Sequence, residues 1–169
     1  MKLAWTLLAC SMAVAQVNVP RPAPNFQIAG HSGRSTNLSG YRGDVVLLAF
    51  VVTTCSHCQA ASKEFEKLQS EFGDRGFQVV EAAFDDNGDV AAYSKRLGLT
   101  FPVGRTTRAE VCSFLGISQN TRLATPQVVL IDRTGMIRAQ SAPEGTPMLT
   151  SGDVLRGLID SMLRRHSVQ

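Results

Sequence analysis

Cys55 and Cys58 stand two residues apart in the run Thr53-Thr54-Cys55-Ser56-His57-Cys58. Thiols at this spacing serve thiol-disulfide exchange, ligation of a soft metal, or attachment of haem. Haem attachment needs a histidine directly after the second cysteine, and residue 59 is Gln. A structural zinc site needs two more ligands, and the chain without its first fifteen residues offers only Cys112 and dispersed histidines, with no second pair at ligand spacing. No role is assigned to His31 or His166, and no metal is expected. Two thiolates would suffice for Cu(I), so a copper-binding module stays open beside disulfide exchange.

The elements around the pair favour exchange. Val45 to Val52 is a nearly unbroken apolar run, as expected of a strand covered on both faces. Behind the cysteine loop, Cys58, Ala61, Phe65, Leu68 and Phe72 recur at spacings of three and four, the stripe of a helix with one buried face. Cys55 therefore sits at a helix N-terminus, where unpaired N–H groups and the dipole favour an anion. A thiol so placed can fall from about 8.5 into the range of roughly 3.5 to 7.5. Cys55 is the expected thiolate nucleophile. Cys58, one turn on and within the apolar stripe, is expected to be buried, less ionised and able to resolve a mixed disulfide. His57, with Ser56 beside it, is expected to tune the site through the charge of its imidazole; a solvated loop histidine is the plainer alternative.

Further along, Gly73 and Gly76 should end the first helix, and Phe77 to Phe84 reads as a second strand. Asp89 is placed to cap a helix that buries Val90, Tyr93 and Leu97 and stops at Gly98. Phe101-Pro102-Val103 is a short extended piece, and a third helix runs from about Thr107 to Leu115, carrying Cys112 as a buried, apolar-like cysteine. Gln127 to Ile131 is a strand that Asp132-Arg133-Thr134-Gly135 turns into Met136 to Gln140. The last helix, about Gly152 to Arg165, should point Leu155, Leu158, Ile159 and Met162 inward. This order implies an α/β fold, a three-layer sandwich with a central mixed sheet flanked by helices.

Ahead of this domain, Lys2, the apolar stretch Leu3 to Ala9 and the Ala13-Val14-Ala15 ending form an expected signal peptide over residues 1–15. Leu7-Leu8-Ala9-Cys10 also fits a lipoprotein signal, so membrane attachment through a lipidated Cys10 is an alternative. Residues 16–24, with Pro20, Pro22 and Pro24, read as an extended linker rather than a paired strand, and the domain is placed at 25–166. The 169 residues, 44% hydrophobic and 18% charged, suit one globular domain. The formal charge is +3 and the seventeen Lys and Arg are scattered, so no nucleic-acid footprint is present and protein or small-molecule partners are expected.

The Cys-x-x-Cys, the downstream Thr125-Pro126 and the Asp-x-x-Gly hairpin, in this order, make residues 25–140 resemble the thioredoxin superfamily. More narrowly, the chain is similar to the redoxin branch that holds TlpA/ResA-type reductases and the alkyl hydroperoxide reductase/thiol-specific antioxidant proteins. Leu38-Ser39-Gly40-Tyr41-Arg42-Gly43-Asp44 ahead of the first apolar strand, and Val129 to Gly135 after Pro126, carry that narrower likeness. The resemblance implies a thioredoxin-like fold with a redox-active disulfide Cys55–Cys58 and no bound cofactor. It implies Cys55 as attacking and Cys58 as resolving cysteine, Pro126 as a cis-proline beside them, and Thr125 as the residue whose backbone pairs with an extended substrate peptide. Protein thiols and disulfides, and a redox partner, are the implied partners of a monomer. Departures from the pattern are Thr54 in place of Trp, Ala49 where an acid stands six residues before the first cysteine, and Gln127 after the proline. A thiol peroxidase is the rival within the branch, but its Pro-x-x-x-Thr-x-x-Cys pattern is absent, since Leu48 and Val52 occupy those places.

Overall fold

The computed structural model of the chain describes residues 18–30 and 35–164. The signal or lipoprotein reading of residues 1–15, Cys10, His31 and His166 lie outside the described residues.

The all-buried strand expected after Asp44 is β4 (Val45–Val51), and it forms the centre of the sheet because apolar side chains on both faces demand cover on both. It pairs in parallel with β5 (Phe77–Ala83) and antiparallel with β7 (Gln127–Ile131). On the β7 side follow β8 (Met136–Gln140) and β1 (Arg21–Pro22); on the β5 side follow β6 (Val103–Arg105), β2 (Gln27–Gly30) and β3 (Ser35–Asn37). Three parallel strands thus meet antiparallel neighbours on both sides, giving the expected mixed sheet.

Helices α1 (Ser56–Phe72), α2 (Val90–Leu97) and α4 (Gly152–Arg164) cover one face, sharing a core with Val45, Leu47, Ala49 and Val51. Helix α3 (Arg108–Leu115) and the N-terminal residues Phe26, Ile28 and Leu38 cover the other, against Val46, Leu48 and Phe50. There Phe26, Phe50 and Phe114 meet edge to face with ring centroids 5.2 to 5.6 Å apart. Each fully buried Phe or Leu in these layers contributes on the order of 1.5–3 kcal/mol. Asp89 and Gly98, read from sequence as the cap and stop of α2, act as expected. Asp89 accepts from the Ala92 N–H, Thr107 forms a reciprocal box with Glu110, and Gly98 and Gly116 end their helices in the left-handed region.

Two local expectations are corrected, in the proline-bearing stretch and in the last helix. The proline-bearing stretch is not a free linker: Arg21–Pro22 pairs with β8, and the Arg21 guanidinium donates to the Phe114 carbonyl at 2.8 Å and to Gln140 Oε1 at 2.7 Å. Proline is tolerated there because the strand lies at the sheet edge, where no ladder N–H is needed outward. The stretch before β4 holds two strands and a short 3-10 turn (Leu38–Tyr41), with β2 docked so closely on β6 that a Cβ at Gly104 would lie 2.6 Å from the Ala29 carbonyl. Gly73 caps the end of α1 as expected, and the chain turns at Gly76, with φ 84°. In α4 it is Leu155, Ile159 and Leu163 that are buried, while Leu158 and Met162 pack at the margin.

Candidate redox site

The strand-to-helix junction is held by a carboxylate from the neighbouring strand. Past the end of β5, Asp85 accepts from the Thr53 N–H at 3.1 Å and the Thr53 hydroxyl at 2.6 Å, and Gln59 Nε2 donates to the Thr53 carbonyl at 2.9 Å. The next residues turn back sharply, with the Cys55 N–H on the Val52 carbonyl at 3.0 Å, and Cys55 becomes the N-cap of α1 in an extended conformation.

The two thiols are pushed in opposite directions. For Cys55, burial works against the thiolate, but the N–H groups of Cys58 and His57, the Thr125 hydroxyl and the Cys58 thiol together outweigh it and bring its pKa below the ordinary value. The Thr125 hydroxyl donates to Cys55 Sγ at 3.6 Å. Cys58 is 0% exposed, and burial pushes its thiol up to about 12. The shared hydrogen bond between the sulfurs has the same sense, favouring Cys55 as the anion and Cys58 as the donor. Cys55, half-buried and at the surface end of the pair, can attack, and Cys58 can follow from below.

Thr125 and Pro126 are brought against this pair from the start of β7, 70 residues along the chain, and the peptide between them is cis. Ser56 and His57 are exposed on the first turn of α1. The His57 backbone N–H is one of the groups that lower the Cys55 pKa. Cys112 is wholly buried in α3, on the far face of the sheet from α1. Among the described residues no three His, Cys, Asp or Glu side chains gather to hold a metal ion.

Three residues at the site were not picked out from sequence. Gln127 is 0% exposed and its Nε2 lies 2.7 Å from the Ala124 carbonyl, 3.2 Å from that of Ala142 and 3.3 Å from that of Pro143, so one carboxamide ties the segment before Pro126 to the loop after β8. Asp85 holds the cysteine loop as described above. Glu81 is 0% exposed on β5, directly across from Ala49, and its carboxyl meets Ser62 of α1. A charge inside the apolar run Phe77 to Phe84 was the available signal for it.

The profile of the AhpC/TSA family matches residues 19–140, from the edge strand through β8. The chain belongs to the AhpC/TSA family. Within it, the chain is 27% identical over 123 residues to the thiol-disulfide oxidoreductase ResA of Geobacillus thermodenitrificans, covering 72% of this chain and 68% of that one. It is 32% identical over 88 residues to the probable glutathione peroxidase 8-B of Xenopus laevis, covering 47% of this chain and 42% of the relative. Among solved structures, a putative thiol:disulfide interchange protein DsbE from Chlorobium tepidum superposes with a TM-score of 0.73 at 25% identity, over 88% of this chain and 99% of its own. Fold and relatives agree that this family member is a thioredoxin-like oxidoreductase.

Proposed function

We propose that this protein is an exported thiol-disulfide oxidoreductase that exchanges disulfides with partner proteins through Cys55-Ser56-His57-Cys58. The observation that carries the reading is the opposed polarisation of the two thiols, a lowered pKa at half-buried Cys55 beside a wholly buried Cys58. In the reducing direction, the Cys55 thiolate attacks a substrate disulfide, forming a Cys55–substrate bond and releasing one substrate thiolate. Cys58 then attacks Cys55 Sγ; the Cys55–Cys58 bond forms, the mixed disulfide breaks, and the second substrate thiolate leaves. The Cys55 thiolate and the Cys58 thiol have together given up two electrons and one proton, and a redox partner returns them. The same steps reversed oxidise a substrate dithiol, and no bound cofactor is needed in either direction.

In this reading the Thr125 backbone, beside Pro126, pairs with an extended substrate segment next to Cys55, supported by the Thr125 side chain against Cys55 and by the Gln127 carboxamide on the Ala124 carbonyl. Ser56 and His57 present their backbone at the helix start and complete the surface that a partner meets. Export rests on Lys2, Leu3 to Ala9 and the Ala13-Val14-Ala15 ending, with lipidation at Cys10 as the anchored form of the same reading. Among the described residues no helix is long and apolar enough to cross a membrane. A monomer is favoured because Met148 is the single large apolar side chain that stands exposed among the described residues.

A peroxidase reading draws on the likeness to glutathione peroxidase 8-B. Against it, Leu48 and Val52 stand where the peroxide-reducing pattern has Pro and Thr, and the nearby Thr53 hydroxyl is committed to Asp85. Equilibration of the protein with glutathione redox buffers, with thiol trapping and mass spectrometry, separates the two. A reversible two-electron Cys55–Cys58 couple with slow peroxide turnover is expected. Rapid catalytic consumption of hydrogen peroxide, or no reversible pairing, would overturn the proposal, and the second outcome with Cu(I) retained by both thiolates would select the copper-binding module.

A further inference from the structure

Glu81 is an acid without an obvious structural reason to exist. It stands at 0% exposure in the core that holds Cys58, Ala61, Phe65 and Tyr93, between Ala49 of β4 and Val103 of β6. Burying a carboxyl is costly unless both of its oxygens find partners. Only one oxygen is satisfied: Oε1 lies 2.6 Å from Ser62 Oγ, while Oε2 is buried with no partner. Among the described residues no cation pairs with it.

The arrangement around Ser62 connects this acid to the redox pair. Ser62 Oγ is 2.6 Å from Glu81 Oε1, 2.6 Å from the Tyr93 hydroxyl and 2.9 Å from the carbonyl oxygen of Cys58. One hydroxyl has a single proton to donate and two lone pairs to accept with. When Glu81 is protonated all three contacts are satisfied: Glu81 and Tyr93 donate to Ser62, and Ser62 donates to the Cys58 carbonyl. When Glu81 is ionised, Ser62 must turn its proton to the carboxylate, and the Cys58 carbonyl loses that donor. The protonation state of Glu81 is thereby transmitted to the backbone of Cys58. Tyr93 senses both groups, since burial raises its hydroxyl pKa and negative charge at Glu81 and at Cys58 each raise it further. The groups facing Glu81 are thus Cys58 and Ser62 from α1 and Tyr93 from α2, with Arg96 of α2 opposing part of the charge at Tyr93, while β4 and β6 contribute only Ala49 and Val103.

We propose that Glu81 is a positioning residue for disulfide exchange: acting through Ser62 and Tyr93, it holds the proton that Cys58 gives up when it closes the disulfide. The inference rests on the exchange reading above. In the closing step the Cys58 S–H bond breaks and its proton passes to the Glu81 carboxylate. The Cys58 sulfur forms its bond to Cys55, and the negative charge leaves with the substrate thiolate. At no stage does the buried pocket hold more than one negative charge, which is what a low-dielectric interior requires. Burial raises the Glu81 carboxyl to about 8, so it can exchange a proton near neutral pH where an ordinary carboxylate could not. In the reverse direction the same carboxyl returns the proton to Cys58 as the disulfide opens.

The test follows the closing step directly. Reduced protein is mixed with excess 2-hydroxyethyl disulfide, quenched in acid at intervals, and the decay of the mixed-disulfide adduct into the closed form is read by mass spectrometry across a range of pH. The wild type is expected to show an inflection near pH 8, the value to which burial lifts Glu81. Glu81→Gln should lose that inflection and close more slowly at pH 7 by about 10²-fold, the lower end of what a positioned base contributes. Ser62→Ala, which removes the hydrogen bond that favours the carboxylate, should move the inflection to higher pH and keeps the test alive if Glu81→Gln does not fold. An inflection unchanged in Glu81→Gln, or unmoved in Ser62→Ala, would refute the role of Glu81 while a reversible Cys55–Cys58 couple left the exchange reading standing. Loss of that couple in the wild type would refute the exchange reading itself.

Discussion

Thr125→Val removes one hydroxyl and keeps the β-branched shape, so it isolates the contact between the Thr125 side chain and Cys55. Hydrogen bonds to charged groups contribute about 1.5–3 kcal/mol. At 3.6 Å to a half-buried sulfur, length and solvent screening reduce this to about half, so ~0.8–1.5 kcal/mol is expected from the Thr125 hydroxyl. One pKa unit corresponds to about 1.36 kcal/mol, so the Cys55 thiol should rise by about 0.5–1 unit in the variant. The lost interaction stabilised the reduced, thiolate form, and for a two-electron couple about 30 mV corresponds to 1.4 kcal/mol, so above the Cys55 pKa the potential should fall by about 15–30 mV. The assay is the pH dependence of iodoacetamide alkylation of the reduced protein, with the modified cysteine located by mass spectrometry. Cys58, wholly buried and with its thiol pushed up to about 12, does not compete. A midpoint that stays in place or moves down, or a potential that rises, would refute the assignment of Thr125 as a partner of the thiolate.

His57→Ala should leave the alkylation midpoint of Cys55 closer to wild type than Thr125→Val does, because the backbone N–H of residue 57 remains; a larger shift in the same alkylation assay would return the imidazole to the site. Gln127→Leu leaves the Ala124, Ala142 and Pro143 carbonyls without their shared donor and should cost about 1–3 kcal/mol in urea unfolding, together with a raised KM for protein disulfides at an unchanged potential. Asp132 at the β7–β8 turn is buried, which favours its neutral form, but bonds from Thr134, the Met136 N–H and Arg138 outweigh this and hold its pKa below the usual carboxylate value. Its contribution is therefore present above the unfolded-state pKa of about 3.9 and lost as pH falls through the lower folded value. Asp132→Asn should be less stable than wild type in urea melts at pH 7, and the gap should close in strongly acidic buffer.

The sequence by itself determined those parts of this protein that depend on neighbours a few residues apart. A helix buries a stripe at spacings of three and four, so Cys58 through Phe72 disclosed α1 and placed Cys55 at its N-terminus. The apolar run Val45 to Val52 disclosed the central strand, and Asp89, Thr107, Gly98 and Gly116 marked helix ends because caps act within a single turn. Thr125 and Pro126 were legible only through resemblance, since nothing in a Thr-Pro dipeptide says that it will lie 3.6 Å from a sulfur 70 residues away. The tertiary structure alone decided what depends on strand register and on which faces meet. It placed Arg21–Pro22 against β8, where an edge strand accepts a proline, and it turned the Gln127 carboxamide onto three carbonyls from two segments. It also set Glu81 directly across from Ala49, so that an acid absent from β4 is delivered by β5 to the face of Ser62 and Cys58. Register of this kind is a sum of contacts between distant segments, each too weak to leave a local pattern, and it exists only once the sheet has formed.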